Sequence, residues 1–406
     1  MLTETPEAVG LSSSRLQYLD RFLQQRYVDQ GRLPCALTLI ERRGQLVHAS
    51  AQGYMDVERG RPLQHDTLFR IYSMTKPITS VALMMLVEDG LIALDDPVHR
   101  YIPQWRDLGV YEAGFIGTFR TRPATTPMRI IDLLRHTSGL TYGLQQRTNV
   151  DAAYRKFGFG DPASGGTLEQ MIDGLAKVPL EASPGEIWNY SVSTDVLGYL
   201  VGKISEMPFE EFLRQRIFAP LGMVDTDFHV PAAKAARFAA CYVLGPDGRL
   251  QVQDDPQTSR YLRPPTFVSG GGGLVSTASD YLRFCRMLLN GGALDGTRLL
   301  SPKTVEMMTV NHLPGGRQLH EMSVALFSEA SYAGIGFGLG FAVTVDPARS
   351  LIPGSVGDYS WGGMASTYFW VDPREQLIVV FMTQLIPSTT HSLRRELRTL
   401  VYSALV

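Results

Sequence analysis

Phe69-Arg70-Ile71-Tyr72-Ser73-Met74-Thr75-Lys76-Pro77 leads into Ile78-Thr79-Ser80-Val81-Ala82-Leu83-Met84-Met85-Leu86-Val87. Almost every position of the second run is apolar, and a helix apolar all round belongs in the centre of a protein. Asp89-Gly90 ends it, with Gly90 suited to a left-handed cap. At the mouth of this helix Ser73 and Lys76 stand three residues apart. They share one helical face, so the lysine amine can reach the serine hydroxyl. A serine hydroxyl is a poor nucleophile until a nearby base takes its proton. A helix N-terminus also favours developing negative charge. The tetrapeptide therefore reads as nucleophile plus activator. Two fixed residues in four recur by chance, so the rest of the chain has to decide. Pro77 withholds an N–H from the Ser73 carbonyl and biases Lys76 away from helical angles. An irregular first turn is expected.

Upstream, residues 12–30 carry a helical apolar face (Leu16, Leu19, Phe22, Leu23) behind the capping candidates Ser12, Ser13 and Ser14. Two β-rich runs, 36–42 and 45–49, flank Arg43-Gly44 and read as a hairpin. Downstream, residues 111–126 are rich in Gly, Thr, Arg and Pro and read as a loop, and a mostly helical stretch follows. Strand patterns return at 241–244, 337–345, 367–371 and 377–384, the last two joined by a turn at Asp372-Pro373-Arg374-Glu375, and 392–404 closes as a helix. Sheet strands near both ends, with helices between, predict an α/β fold: an antiparallel sheet flanked by helices, plus a mostly helical second lobe. We assign 1–93 and 270–406 to a discontinuous α/β lobe and 94–269 to the helical one. A site at their interface is the default expectation.

Composition narrows the function. The 406 residues carry a formal net charge of −2 and no basic block, which argues against a nucleic-acid surface or a polybasic membrane anchor. No apolar run is long enough to span a bilayer, and the N-terminal stretch lacks the pattern of a signal peptide. Cys35, Cys241 and Cys285 are far apart and form neither a disulfide framework nor a metal pattern, so a cytoplasmic location is expected. No Cys/His cluster has zinc-ligand spacing, and the run Gly270-Gly271-Gly272-Gly273 lacks the Lys-Ser/Thr of a phosphate cradle. Neither metal nor organic cofactor is implied. A Gly-x-Ser-x-Gly elbow is absent; Pro353-Gly354-Ser355-Val356-Gly357 comes nearest.

Several further stretches accompany Ser73-Met74-Thr75-Lys76 in order. They are Leu133-Leu134-Arg135-His136-Thr137-Ser138-Gly139-Leu140, Tyr190-Ser191-Val192, Pro220-Leu221-Gly222-Met223, the four-glycine run with Leu274, and Trp361-Gly362-Gly363. Together they resemble the serine β-lactamase and penicillin-binding superfamily, nearest the class C-like esterases known as family VIII carboxylesterases. The resemblance covers nearly the whole chain. It implies Ser73 as the acylated nucleophile, Lys76 as its partner and Tyr190 as the tyrosine sharing the proton work. A phenol ordinarily ionises near pH 10, so an adjacent ammonium is needed for it to act as a base. Trp361-Gly362-Gly363 falls where the Lys-Thr-Gly signature stands. By that alignment the oxyanion hole is formed by the backbone N–H groups of Ser73 and Met364.

Two departures from the β-lactamase pattern bear on substrate. Val192 stands where Tyr-x-Asn places an amide, and Trp361 stands where a lysine meets a substrate carboxylate. Both remove polar recognition and leave an apolar slot, so Val192, Trp361, Gly362 and Gly363 are read as substrate-binding. Tyr142, with Tyr111, Phe115, Phe157 and Phe159, is a further candidate lining residue. His136 reads as a loop histidine bonded to backbone, and Asp195 as a cap or a brace behind Tyr190. The expectation is a serine carboxylesterase acting on short-chain, small-molecule esters through an acyl-enzyme on Ser73. The alternatives are a β-lactamase or D-alanyl carboxypeptidase, an acyltransferase of the same fold, and a ligand sensor that is acylated without turnover.

Overall fold

The structure, a computed structural model, describes residues 2–325 and 331–406. Its main sheet is built from β1 (Cys35–Arg42), β2 (Gln45–Asp56), β3 (Arg61–Pro62), β4 (Ile335–Phe337), β5 (Ala342–Thr344), β6 (Tyr359–Gly362), β7 (Tyr368–Asp372) and β8 (Leu377–Met382). Their spatial order is β4-β5-β6-β7-β8-β1-β2-β3, antiparallel at every step. The two ends of the chain meet in the middle of the sheet, where Leu39 pairs with Val380 and Ile40 with Val379.

Helices cover both faces, which is why β8 (Leu377-Ile378-Val379-Val380-Phe381-Met382) is apolar at every position instead of alternating. On one face lie α1 (Ser13–Leu23) and the C-terminal helix Leu393–Tyr402. Leu16, Leu19 and Leu23 join Leu393, Leu397 and Val401 over Trp370, Val379 and Phe381. The Ser12 side chain caps α1 by accepting from the Arg15 N–H. The opposite face carries α2 (Thr75–Glu88), α3 (Ser193–Ser205) and α4 (Ala278–Leu289). The Tyr281 ring of α4 lies 4.9 Å from Phe369 of β7. All positions of α2 from Thr75 to Leu86 are buried, as the apolar run predicts.

Two local readings change, and the strand expected at 241–244 is present. The run 337–345 is not one strand: β4 and β5 are separate, and the Gly338 N–H donates to Phe341 O at 2.8 Å across the turn between them. Gly340 there takes φ +100°, which an L side chain rarely adopts. The run 111–126 is not wholly loop, because Val110–Ala113 pairs with Arg120–Arg122. Within 94–269, Cys241–Leu244 also forms a strand. It pairs with Leu250–Asp254 and, in parallel, with Leu385–Ile386 near the other end of the chain. Among the described residues, no helix is long and apolar enough to cross a membrane. No group of three or more metal-ligating side chains is found there either.

Candidate active site

Three pieces of backbone converge at the mouth of α2. Phe69 and Arg70 pair with Ser276 and Val275, and the Ile71 N–H donates to Leu274 O at 3.1 Å. This pairing ties the segment before Ser73 to the end of the glycine run. A tight turn over Tyr72–Met74 then precedes α2, so the irregular first turn is present. Tyr72 itself has φ +42°, a left-handed conformation costing roughly 1–2 kcal/mol for a non-glycine residue. Thr75 Oγ1 accepts from the Leu274 N–H at 3.2 Å and Tyr281 OH donates to Met74 O at 2.9 Å. The third piece is the end of β6. Its neighbour β5 pairs only with Tyr359 and Ser360, so Trp361 and Gly362 run on beyond that pairing. Gly363 passes so close to the turn that a Cβ there would lie 2.5 Å from Ile71 O.

Lys76 is buried, at 2% exposure. Its Nζ reaches Ser73 Oγ at 3.2 Å, Tyr142 OH at 3.2 Å and Gly271 O at 2.6 Å. These contacts occupy all three donors of an ammonium. Nζ also lies 4.5 Å from the centre of the Tyr190 ring. Trp361 Nε1–H donates to Tyr190 OH at 3.3 Å. Ser73, Tyr142, Tyr190, Trp361, Gly363 and Met364 all line one cavity of about 750 Å³. Gly362 lines it as well. The structure thus brings together Ser73, Lys76 and Tyr190, with Met364 lining the same cavity.

One substrate-binding expectation changes. Val192 is fully buried and does not line the cavity. Its Cγ1 would lie 2.5 Å from a Cβ on Gly160, which places it behind the wall that Gly160 and Tyr142 form. Tyr142 does line the cavity, but its hydroxyl is committed to Lys76. Burial, with Asp195 and Tyr190 close by, pushes the Tyr142 phenol well above its ordinary range. It stays protonated and holds the lysine. Trp361 is more than an apolar wall, since its N–H is spent on Tyr190. Among the other candidates, Phe159 lines the cavity whereas Phe115 and Phe157 are exposed.

Asp195 braces the glycine run rather than Tyr190. Its Oδ1 accepts from Ser269 Oγ at 2.6 Å and from the Gly271 N–H at 2.9 Å, which aims the Gly271 carbonyl at Lys76. Its Oδ2 is buried with no hydrogen-bond partner among the described residues. A Cβ on Gly271 would lie 2.7 Å from that oxygen and 2.9 Å from Tyr142 OH, so only glycine fits. Burial raises the Asp195 carboxyl above its ordinary value, against the opposing pull of Ser269, Lys76 and the Gly271 N–H. His136 is buried beside Tyr190 with ring centres 4.9 Å apart, and burial holds its pKa well below the ordinary value. Its Nδ1 meets Ser191 Oγ at 3.3 Å, not backbone as expected. The neutral ring packs and orients; it stands in no contact with Ser73. Sequence reasoning missed the Lys76 contacts to Tyr142 and Gly271, because neither residue belongs to the motif that names the site.

The family described as Beta-lactamase matches residues 19–403. The chain is 39% identical over 362 residues to Protein Rv1367c of Mycobacterium tuberculosis, covering 88% of each. It is 31% identical over 395 residues to Esterase EstB of Burkholderia gladioli, covering 93% of this chain and 91% of that protein. Among solved structures it resembles EstCE1, described as a hydrolase with promiscuous acyltransferase activity. The TM-score is 0.80 at 27% identity, covering 98% of this chain and 99% of that one.

The Asp195 carboxyl gives a test by linkage. A carboxyl raised above its unfolded value binds its proton more readily when folded. Its ionisation therefore opposes folding, with the cost appearing as pH rises through the ordinary carboxylate range. Asp195→Asn keeps an oxygen for Ser269 and Gly271 and removes the charge. Urea unfolding should show the variant gaining stability over the wild type as pH rises above about 4, the ordinary carboxylate range. A difference that is flat with pH, or that shrinks as pH rises, contradicts the assignment.

Proposed function

The chain belongs to the beta-lactamase family of serine hydrolases, on its esterase-like side, and from that premise we propose that it hydrolyses short-chain carboxylic esters through an acyl-enzyme on Ser73. The observation that carries this reading is the 3.2 Å contact between the Lys76 amine and the Ser73 hydroxyl on the wall of an open cavity. In the proposed sequence Ser73 Oγ attacks the ester carbonyl carbon. Its proton passes to the Lys76–Tyr190 pair, in which the Trp361 N–H donates to the phenol oxygen and the lysine nitrogen lies 4.5 Å from the ring centre. The carbonyl oxygen becomes an oxyanion held by the N–H groups of Ser73 and Met364. Losing one such donor typically costs about 3 kcal/mol of transition-state stabilisation. Collapse breaks the bond to the alcohol oxygen, which takes the proton and leaves. Water then attacks the acyl-serine and the same pair takes its proton; the bond from the acyl carbon to Ser73 Oγ breaks, the pair returns the proton to Oγ, and the acid leaves.

Trp361 in place of a cation supports an ester over a β-lactam. A β-lactam brings a carboxylate that the Trp361 side chain cannot pair, and desolvating a charge against an apolar ring is costly. Acyl transfer to an acceptor alcohol is the second reading. The cavity volume supports it, as does the description of EstCE1, and it differs from hydrolysis only in what attacks the acyl-serine. The free, buried thiols of Cys35, Cys241 and Cys285 support a reducing compartment such as the cytoplasm.

Steady-state assays should give a larger kcat/KM for p-nitrophenyl butyrate than for nitrocefin or penicillin G. Chain-length selection from acetyl to hexanoyl should be graded, because one methylene is worth only about 1–3 kcal/mol. A β-lactam turned over as well as the butyrate overturns the esterase reading. The shared-base step has its own test. Lys76→Ala and Tyr190→Phe should each lower kcat by about 10²–10⁴, and the double variant should lose little more than either. Losses that multiply would show two independent residues.

A further inference from the structure

The cavity of about 750 Å³ lies in the range of pockets that enclose a drug-sized ligand, roughly 300–1,000 Å³. It is much larger than a butyryl ester requires. Its charged lining is one-sided. Among the described residues, Arg155, Arg260, Arg394 and Arg398 face it, against the single carboxylate of Asp161. Arg155 is neutralised by Asp151 at 2.6 Å, and Arg398 by Asp358 at 2.8 Å. Arg394 lies against the Tyr368 ring, 5.3 Å from its centre. Arg260 forms no ion pair among the described residues. Asp161 acts on it electrostatically from beyond ion-pair distance, while Asp161 Oδ1 accepts from the Ala163 N–H of its own loop at 2.8 Å.

Arg260 is also held in place. It starts a short turn whose cap, Ser259, accepts from the Tyr261 N–H. Its guanidinium lies 5.3 Å from the centre of the Tyr261 ring. That ring is buried, with its centre 6.2 Å from that of Phe238. A guanidinium carries five N–H donors, so its contact with Tyr261 leaves others for a second partner. The electrostatic neighbours of Arg260 include Tyr72, the residue before Ser73. A guanidinium with no ion pair among the described residues thus lines the same cavity as the nucleophile.

Resting on the esterase reading, we propose that the substrate is a larger ester carrying a free carboxylate, and that Arg260 binds that carboxylate and sets the preference for it. A guanidinium meets a carboxylate through two parallel N–H donors, which orients the ester as well as retaining it. The recognition lost at Val192 and Trp361 is replaced by a cation at another residue of the cavity lining.

Mono-p-nitrophenyl adipate and its methyl-capped diester share one acyl chain and one leaving group, and differ in whether the far end is a free carboxylate or its methyl ester. The wild type should favour the acid by about tenfold in kcat/KM, through KM, as expected for a hydrogen bond to a charged group. Salt should weaken the preference. Arg260→Gln should bring the ratio to about one while p-nitrophenyl butyrate stays within about twofold, and Arg260→Lys should keep part of the preference. Calorimetric binding of adipate, tighter for the wild type than for Arg260→Gln, gives a readout independent of turnover. A wild-type ratio at or below one, or a ratio that survives Arg260→Gln, overturns the proposal. A protein that binds adipate through Arg260 but leaves p-nitrophenyl butyrate intact overturns the esterase reading and not this one.

Discussion

A buried lysine nitrogen that holds three oxygens at once is the constraint around which the site is built. A charge left unpartnered in a protein interior costs several kcal/mol or is neutralised. Lys76 escapes that penalty only because Ser73, Tyr142 and Gly271 are all in reach. Each of those acceptors has its own support. Ser73 is set by the strained turn at Tyr72 and by the pairing of Phe69-Arg70 with Val275-Ser276. The Gly271 carbonyl is aimed by Asp195. Tyr142 is kept protonated by the burial that surrounds it. The apolar α2 then carries Lys76 into the core from below.

Much of this was legible in the sequence, and the reasons are physical. The hairpin around Arg43-Gly44, the all-round apolar α2 and the continuous apolar β8 are each fixed by local pattern. The residues Ser73, Lys76, Tyr190 and Trp361 came from motifs, and the fold does bring them together. The misplacements have one cause: a pattern says what a residue is and not which way its element is turned. Val192 was read as pocket-facing from its place beside Tyr190, yet it lies behind Gly160. The β4–β5 break was hidden because Phe337 to Val345 is apolar on both sides of the turn. The braces of Lys76 are 66 and 195 positions away from it in sequence. No spacing rule links residues that far apart; only the fold does.

Substrate choice follows from where the polar groups went. The side nearest β6 offers the Trp361 ring, with its N–H already given to Tyr190. The positive charge of the cavity comes from Arg155 on the helix Asn149–Phe157, Arg394 and Arg398 on the C-terminal helix, and Arg260 in a short turn, where Arg260 forms no ion pair among the described residues. Esterase, acyltransferase and β-lactam chemistry share the acyl-serine. The difference among them is decided by these walls and by what reaches the acyl group next.

The account rests on that acyl-serine, and rapid quenching can trap it. Wild-type protein mixed with excess p-nitrophenyl butyrate, quenched in acid and digested, should carry one butyryl group on the peptide containing Ser73. The modification should accumulate in Tyr190→Phe if water attack is slowed with the base removed. A butyryl group on Ser138, Ser191 or Ser355, or turnover of the ester by Ser73→Ala, would contradict the account.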